Sequence, residues 1–386
     1  MLRIIPKLRY IGLLAVLAWM LASVPAVLAN GVGTIFVADE ESGTVTVLDG
    51  VQHLAVERIR VVTGPHAVAF SLDFQRVYIL NKGGANIAII DRQSYAVVAG
   101  IPLGGEPDSI LFDPEGLVAY VTNAETNEIM IINLAESRVD GTIPTGTEPR
   151  GMAYSPDGRL LALANAGNND VSILDRLTLT TLFDIPVGVS PMDIEFGPDS
   201  NTLYVSSARG EGIAVVDVAE RRILAVLKAC EGPRELALTL DNRLLYVACK
   251  LANEVVVYET SSVSTVARIA TGRGPWGVAV SEDNKWVFVT NRRSNSVAVI
   301  NNATQQKIDT VFVGDGPTGI VAANQPAAPI QFRPGSPVVT ELPRTGTGAD
   351  VDGFGALKWI AAGTLLAVPL VVAFDVLRHR WRRSRP

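Results

Sequence analysis

The sequence predicts an all-β fold, a seven-bladed β-propeller, and three observations predict it. A unit of 42 residues recurs seven times between Thr34 and Ala327 without insertion or deletion. Each unit holds four short runs rich in β-branched residues, separated by Gly, Pro, Asn or Asp, which is the pattern of strands and turns. No part of this region shows a sustained helical period. A repeat of about 40–45 residues with four strands is typical of one propeller blade.

Each unit has a proline at its thirty-second position. The units begin at Thr34, Arg76, Val118, Leu160, Thr202, Leu244 and Trp286. The prolines are Pro65, Pro107, Pro149, Pro191, Pro233, Pro275 and Pro317. Because proline fixes φ, we expect each one where the outer strand of one blade crosses to the inner strand of the next.

The third unit illustrates the four strands in order. Strands are predicted over residues 119–123, 128–133, 139–145 and 151–154, and the Ser-Pro-Asp-Gly turn of 155–158 leads into the next unit. The strand after each proline becomes the innermost strand of the following blade, so the first unit lacks an innermost strand. Residues 318–324 supply a spare one, and we expect them to complete the blade of residues 34–62. This pairing closes the ring and removes its exposed edges.

Both ends of the chain carry processing signals. Residues 1–29 combine Arg3, Lys7 and Arg9 with an apolar run and a small-residue exit, which predicts a secretory signal peptide; an uncleaved anchor is the alternative. After the propeller (30–327) come a Pro-rich linker (328–341), the sequence Leu-Pro-Arg-Thr-Gly (342–346), and a final segment (347–386). That segment has an apolar run of about 359–374, which predicts a membrane span, and an arginine-rich tail predicted to be cytoplasmic.

The predicted mature body is strongly acidic. Without the first 29 residues, which hold three Lys/Arg, and without residues 346–386, which hold six Lys/Arg and three Asp/Glu, 24 basic and 36 acidic residues remain. The net charge of about −12 that results argues against binding nucleic acid or anionic lipid.

The repeat resembles the YVTN-family β-propellers. The resemblance rests on Tyr-Val-Thr-Asn at residues 120–123, the Asp or Asn that ends the next strand, the Gly before the fixed proline and the Ser-Pro-Asp-Gly turn. Members of this family occur in surface-layer and other secreted proteins, so the resemblance implies a propeller exported from the cell. It does not by itself imply an activity.

The C-terminus resembles a sortase cell-wall sorting signal. The motif consists of Leu342, Pro343, Arg344, Thr345 and Gly346, followed by the apolar run and the basic tail. The resemblance implies that a sortase-type transpeptidase cleaves after Thr345 and joins the protein to the cell wall or envelope. We therefore expect a membrane-anchored precursor that is then attached at the extracellular face. A plain single-span anchor is the alternative.

Two cysteines depart from the repeat together. Cys230 stands where five units have glycine (Gly104, Gly146, Gly188, Gly272 and Gly314), and Cys249 stands where four have asparagine (Asn81, Asn123, Asn165 and Asn291). Both positions belong to the same crossover, which in an exported protein predicts a disulfide between them. Recurrent aspartates at the turns are explained by Asx turns, and no metal site is expected.

The position after each proline is chemically diverse where the rest of the unit is uniform. It holds His66, Asp108, Arg150, Met192, Arg234, Trp276 and Thr318. These residues are predicted to lie at the mouth of the central channel and are the candidate binding surface. A solvated rim without a ligand is the alternative.

This rim shows no nucleophile–base–acid set and only one histidine, which favours a non-catalytic protein over an enzyme. The leading interpretation is a surface-anchored module, without a cofactor, that binds a protein, a glycan or an envelope component. One alternative is a lactonase-like propeller enzyme or a cofactor-binding propeller, because His66, Arg150 and Arg234 offer a site for phosphate or carboxylate. Another alternative is a structural surface-layer component.

Overall fold

The predicted seven-bladed β-propeller is confirmed. A computed structural model of the chain describes residues 33–210, 212–228 and 231–322. These residues form 28 strands and no helix. The strands are grouped into seven antiparallel sheets of four.

Each blade runs from an innermost strand at the channel to an outermost strand at the outer edge of the propeller. Innermost strands are β4 Pro65–Phe70, β8 Pro107–Phe112, β12 Pro149–Tyr154, β16 Pro191–Phe196, β20 Pro233–Leu238, β24 Pro275–Val280 and β28 Pro317–Ala322. Second strands are β1 Thr34–Asp39, β5 Arg76–Asn81, β9 Val118–Asn123, β13 Leu160–Asn165, β17 Thr202–Ser207, β21 Leu244–Cys249 and β25 Trp286–Asn291.

Third strands are β2 Thr44–Asp49, β6 Asn86–Asp91, β10 Glu128–Asn133, β14 Asp170–Asp175, β18 Ile213–Asp217, β22 Glu254–Glu259 and β26 Ser296–Asn301. Outermost strands are β3 Leu54–Arg60, β7 Val97–Pro102, β11 Arg138–Pro144, β15 Thr181–Pro186, β19 Arg222–Leu227, β23 Ser264–Ala270 and β27 Gln306–Phe312. Blade 1 is the sheet β28-β1-β2-β3, and blades 2 to 7 follow in chain order from β4–β7 to β24–β27.

Ring closure occurs in blade 1 as predicted. Strand β28 pairs antiparallel with β1, with Ile320 opposite Val37 and Ala322 opposite Ile35. The predicted closing segment ran to residue 324, and its last two residues lie outside the described part of the chain. First and last segments of the propeller are thus hydrogen-bonded in one sheet.

The hydrophobic core is divided into seven clusters, one at each interface between neighbouring blades. Side chains alternate between the two faces of a strand, so each sheet contributes one face to the cluster before it and the other to the cluster after it. The interface of blades 7 and 1 shows this, since Phe288 of blade 7 packs with Val37 and Ile320 of blade 1. All seven innermost strands are therefore held side by side around one channel.

The fixed prolines begin the innermost strands, whereas the sequence had predicted strands starting just after them. Pro149, for example, pairs with Asn165 before the register of its strand shifts. A comparable register shift follows the proline in each of the six remaining blades. In blade 1 it lies between β28 and its partner β1. Because the seven strands start alike, all the prolines lie at one end of the channel, which we call the proline end.

Several predicted segments lie outside the described residues: the signal peptide (1–29), the linker (328–341), the motif Leu342–Gly346, the apolar run (359–374) and the tail. Within the described residues, no helix is long and apolar enough to cross a membrane.

Candidate functional site

A β-bulge in each innermost strand builds the proline end of the channel. In blade 6, Pro233 pairs with Cys249 and Leu236 with Val247, so the two residues between them leave the ladder. The second of the freed N–H groups is often satisfied by a hydroxyl of the next strand, as when Asp193 N donates to Ser206 Oγ (3.0 Å) and Gly277 N to Thr290 Oγ1 (2.7 Å). Bulges re-aim side chains in this way. Two residues after the proline leave the ladder in six blades, and one, His66, leaves it in blade 2.

Six of the seven residues predicted for the channel mouth are partly exposed there: His66, Asp108, Arg150, Met192, Arg234 and Trp276. The seventh differs. Thr318 has an exposed fraction of 0%, and its hydroxyl donates to the carbonyl of His66 at 3.0 Å. Thr318 therefore fixes the backbone of blade 2 and offers no surface to a ligand.

A second ring of residues surrounds the first and was not predicted from the sequence. It is formed by the residue that follows each second strand: Glu40, Lys82, Ala124, Ala166, Ala208, Lys250 and Arg292. Three consecutive blades carry alanine and the other four carry charges. This contrast within one column of the repeat is a sequence signal that could have identified the ring.

One side of the mouth is an ion-pair network with internal partners. Arg150 Nη1 donates to Asp108 Oδ1 at 2.7 Å, and Lys82 Nζ lies 3.6 Å from the same oxygen. His66 bridges two carboxylates, with Nδ1 3.2 Å from Glu40 Oε2 and Nε2 3.7 Å from Asp108 Oδ1. Burial opposes ionisation of Asp108, but His66, Arg150 and Lys82 outweigh it and lower the pKa of this carboxyl.

The other side of the mouth concentrates positive charge on one indole. Three cations lie over the Trp276 ring: Arg234 Cζ at 4.5 Å from the centroid, Lys250 Nζ at 4.7 Å and Arg292 Cζ at 5.1 Å. His66 contacts the same ring edge to face, with centroids 6.2 Å apart. Cation–π contacts of this kind are favourable, and they bring the three cations together.

Three carboxyl groups lie on the innermost strands of blades 5 and 6, and they too were not predicted from the sequence. Asp193 and Glu235 occupy the second bulge position, where Gly151 and Gly277 stand in the flanking blades. Asp193 Oδ2 accepts from Leu236 N of the next blade at 2.8 Å, and Glu235 Oε2 accepts from Val278 N at 3.3 Å. Glu195 replaces the Ala, Leu or Val that the other units have at its position.

The pKa values of these three carboxyl groups are raised, chiefly by burial. Burial raises the pKa of Asp193 to about 6, despite hydrogen bonds from Leu236 and Ile194. Burial, and then the charge of Asp193, raise the pKa of Glu195 to about 8 and that of Glu235 well above its ordinary range. At neutral pH the Asp193 carboxyl is therefore mostly ionised and that of Glu195 mostly protonated, and the pKa of Glu235 is shifted in the same direction as that of Glu195.

Nearby glycines make room for the acids. A Cβ on Gly151 would lie 2.9 Å from Asp193 Oδ1 and 2.8 Å from the carbonyl oxygen of Met192, and one on Gly277 would lie 3.1 Å from Glu235 Oε2. Contacts this close force the neighbours to shift. A larger residue at Gly151 would therefore press on Asp193, whereas one at Gly277 would first meet the carbonyl oxygen of Thr318, at 2.5 Å.

Of the two cysteines in the predicted disulfide, the structure describes one. Cys249 is fully buried opposite Pro233 at the end of β21, whereas Cys230 lies outside the described residues, so the bridge stays a prediction. The described ranges contain no group of three His, Cys, Asp or Glu side chains that could hold a metal ion.

The fold and this mouth define the class of protein, a seven-bladed β-propeller with a charged site at one end of its channel. Residues 218–311 match the family described as "Lactonase, 7-bladed beta-propeller". The matched segment runs from blade 5 through most of blade 7 and includes Arg234, Lys250 and Trp276. No curated protein matches the chain.

Solved structures share the fold at low identity. A Bacteroides fragilis protein provisionally named a 6-phosphogluconolactonase is 15% identical, with a TM-score of 0.66 over 77% of this chain and 99% of that one. Kuenenia stuttgartiensis hydrazine synthase is 19% identical, with a TM-score of 0.61 over 68% and 92%. The dihydro-heme d1 dehydrogenase NirN is 13% identical, with a TM-score of 0.61 over 77% and 76%. Such likeness establishes the propeller fold alone.

The expectation of a non-catalytic protein is wrong. The family match points to an enzyme-like propeller, which was one of the alternatives that the sequence left open. The error arose because only one residue of each innermost strand, the one directly after the proline, entered the prediction. The absence of an acid–base set was judged on the first bulge position, while Asp193, Glu195 and Glu235 stand elsewhere on the same strands.

Proposed function

We propose that this protein is a lactonase-type hydrolase that opens a cyclic ester at the proline end of its channel. The observation that carries the proposal is the group Asp193, Glu195 and Glu235, whose environments push their pKa values apart beside a cationic mouth. Groups with separated pKa values supply both a base and an acid near neutral pH. The family match to residues 218–311 supports the same class of reaction.

The three carboxyl groups suit three steps of ester hydrolysis. Ionised Asp193 takes a proton from a water molecule while the water oxygen bonds to the lactone carbonyl carbon. Protonated Glu235 donates a hydrogen bond to the carbonyl oxygen as that oxygen becomes negative. The carbonyl bond then re-forms as the ring C–O bond breaks, and Glu195 gives its proton to the leaving oxygen, so that lactone and water become one hydroxy acid. Asp193 returns the proton taken from water to Glu195 through solvent, which restores both groups.

The cellular setting follows from the terminal signals. We propose that the enzyme is exported by residues 1–29 and acts outside the cell, held by the sorting signal Leu342–Gly346 or by the apolar run. The acidic body favours a small substrate over nucleic acid.

The proposal is tested by assaying the full chain against a panel of small lactones between pH 5 and 9. We expect hydrolysis with a bell-shaped pH dependence whose limbs lie near pH 6 and pH 8, because Asp193 must be ionised and Glu195 protonated. Asp193→Asn and Glu195→Gln should each lower kcat by roughly 100-fold or more. Asp283→Asn, at an exposed turn at the opposite end of the blades, is the matched control.

Two results would refute this assignment. One is wild-type protein that hydrolyses no lactone in the panel. The other is hydrolysis that survives unchanged in both carboxyl variants, since the reaction would then occur elsewhere or without these groups.

A further inference from the structure

We infer that Arg234 and Lys250, with Arg292 beside them on Trp276, form a binding site for one small anionic group, a carboxylate or a phosphate. Assigning that group to the substrate rests on the proposed hydrolase function. The site itself does not, because it is defined by the charges and contacts of the mouth alone.

Arg234 and Lys250 lack a countercharge in the described part of the chain. Among the described residues, no carboxylate lies within 4.0 Å of the charged nitrogens of Arg234 or Lys250, whereas Arg150, Lys82 and Arg292 all have such partners. The Nε atom of Arg234 is buried and lacks a hydrogen-bond partner within the described chain. A buried donor left unpaired is costly, so the guanidinium of Arg234 has hydrogen-bonding capacity that the described residues do not use.

The cations of the mouth also repel one another. Burial, followed by the charge of Arg150, lowers the pKa of Arg234. Burial, followed by the charges of Arg234 and Arg292, lowers the pKa of Lys250. Cations that destabilise one another in the free protein gain from an anion placed between them, so binding at this point is electrostatically favoured.

The position of Arg234 on Trp276 also suits an anionic ligand. A guanidinium uses its face to stack on an aromatic ring and keeps its in-plane N–H groups for oxygen ligands. Arg234 Cζ lies 4.5 Å from the centroid of the Trp276 ring, a distance at which a stacked guanidinium keeps its N–H groups for carboxylate or phosphate oxygens. Met192, in the neighbouring blade, is uncharged and partly exposed, so the anionic end of a ligand is directed toward blades 6 and 7.

The experiment is calorimetric titration of the full chain with inorganic phosphate, gluconate and, as a neutral control, glucose. We expect one of the two anions to bind and glucose not to bind. Stronger binding of phosphate assigns the site to a phosphate group, and stronger binding of gluconate assigns it to a carboxylate. Arg234→Gln and Lys250→Gln should each weaken anion binding on the order of tenfold, whereas Arg234→Lys should restore part of the affinity.

Arg159→Gln is the matched control, because it removes an exposed cation at the turn after β12 and leaves the mouth intact. Failure of both anions to bind, or equal affinity in wild type and Arg234→Gln, would overturn the inference. Anion binding that persists in a protein without lactone hydrolysis would refute only the enzymatic assignment, so the two failures are distinguishable.

Discussion

At the scale of single residues, the end of each second strand decides how the proline end is held together. Asn123 accepts a hydrogen bond from Glu106 N and donates one to the carbonyl of Gly104. Asn291 similarly accepts from Gly272 N at 2.9 Å. An amide can both donate and accept, so asparagine suits a buried position between two backbone segments.

Blade 1 departs from this pattern with a buried carboxyl. Asp39 is fully buried and accepts from Thr44 at 3.0 Å and from Thr46 at 2.6 Å, while its Oδ1 has no hydrogen-bond partner within the described chain. Burial raises the pKa of Asp39 to about 6, although the two threonines oppose the shift. The closing blade thus contains a group that is neutral in mild acid and charged at neutral pH.

Asp39→Asn should stabilise the protein at neutral pH. Because the folded state holds the Asp39 proton more tightly than the unfolded chain, the free energy of unfolding falls as pH rises from about 4 to about 6. The amide has no such loss, so the variant should be more stable at pH 7.5 by up to about 3 kcal/mol and nearly unchanged at pH 4. Urea unfolding at several pH values measures this.

Glu220→Gln is the control, since Glu220 is exposed and its neutralisation should leave the pH dependence as it is. A stability difference between wild type and Asp39→Asn that is the same at pH 4 and pH 7.5 would contradict the assignment to the Asp39 carboxyl.

At the scale of elements, the crossover into each blade brings a glycine against the end of the second strand. A Cβ added to Gly146 would lie 2.5 Å from Asn165 Cγ, and one added to Gly272 would lie 2.8 Å from Asn291 Cγ. The two positions are therefore in direct contact in these blades. Side chains longer than hydrogen fit at the glycine only if the asparagine changes as well.

The paired cysteines follow from that contact. Cys230 and Cys249 stand at the glycine and asparagine positions of one crossover, so we predict a disulfide between them. Alkylation of the unfolded chain without reductant should modify no cysteine, and with reductant it should modify two. Loss of the bridge should cost roughly 3 kcal/mol, as expected for a closed loop of about 15–20 residues.

Cys249→Ser is a matched variant, because blade 5 carries Ser207 at the same place, opposite Pro191. It should lower stability to that of the reduced wild type and should become insensitive to reductant. Two alkylated cysteines in the unreduced wild type would rule the bridge out.

At the scale of the whole molecule, the residues that stabilise the ring differ from those that form the charged mouth. Seven core clusters around the ring, including that of blades 7 and 1, hold the innermost strands in place, and the bulges at the starts of these strands carry charged residues of the mouth. The body is acidic, yet the mouth gathers Arg150, Arg234, Lys250 and Arg292. A local cationic site in an acidic molecule selects small anions and does not attract polyanions.

Processing of the C-terminus is also a property of the whole molecule. If the sorting signal acts as predicted, protein extracted from the cell surface ends at Thr345, because the transpeptidase breaks the bond to Gly346. Mass spectrometry should find that C-terminal peptide, and Thr345→Ala should abolish it. Surface protein that contains only peptides running into residues 359–374 would establish a membrane anchor in its place.

The sequence by itself determined the fold, because a 42-residue period without insertions leaves each blade the same strand order. It also predicted the closing strand, since the phase of the prolines left one strand short at Thr34 and one spare after Pro317. These inferences need only local strand and turn preferences repeated along the chain. The column after the prolines predicted the first ring of mouth residues, of which Thr318 is buried, but it did not predict the second ring.

Only the tertiary structure decided which residues share the site. Arg292 reaches the Trp276 indole within one hairpin, because Pro275 pairs with Asn291. Arg234 and Lys250 belong to the preceding blade, and the packing of blades 6 and 7 brings them onto the same indole. The pKa values of Asp193, Glu195 and Glu235 are raised chiefly by burial, which depends on how the innermost strands pack around the channel. A repeat pattern fixes where strands run, but burial and charge proximity arise when different blades meet at the channel.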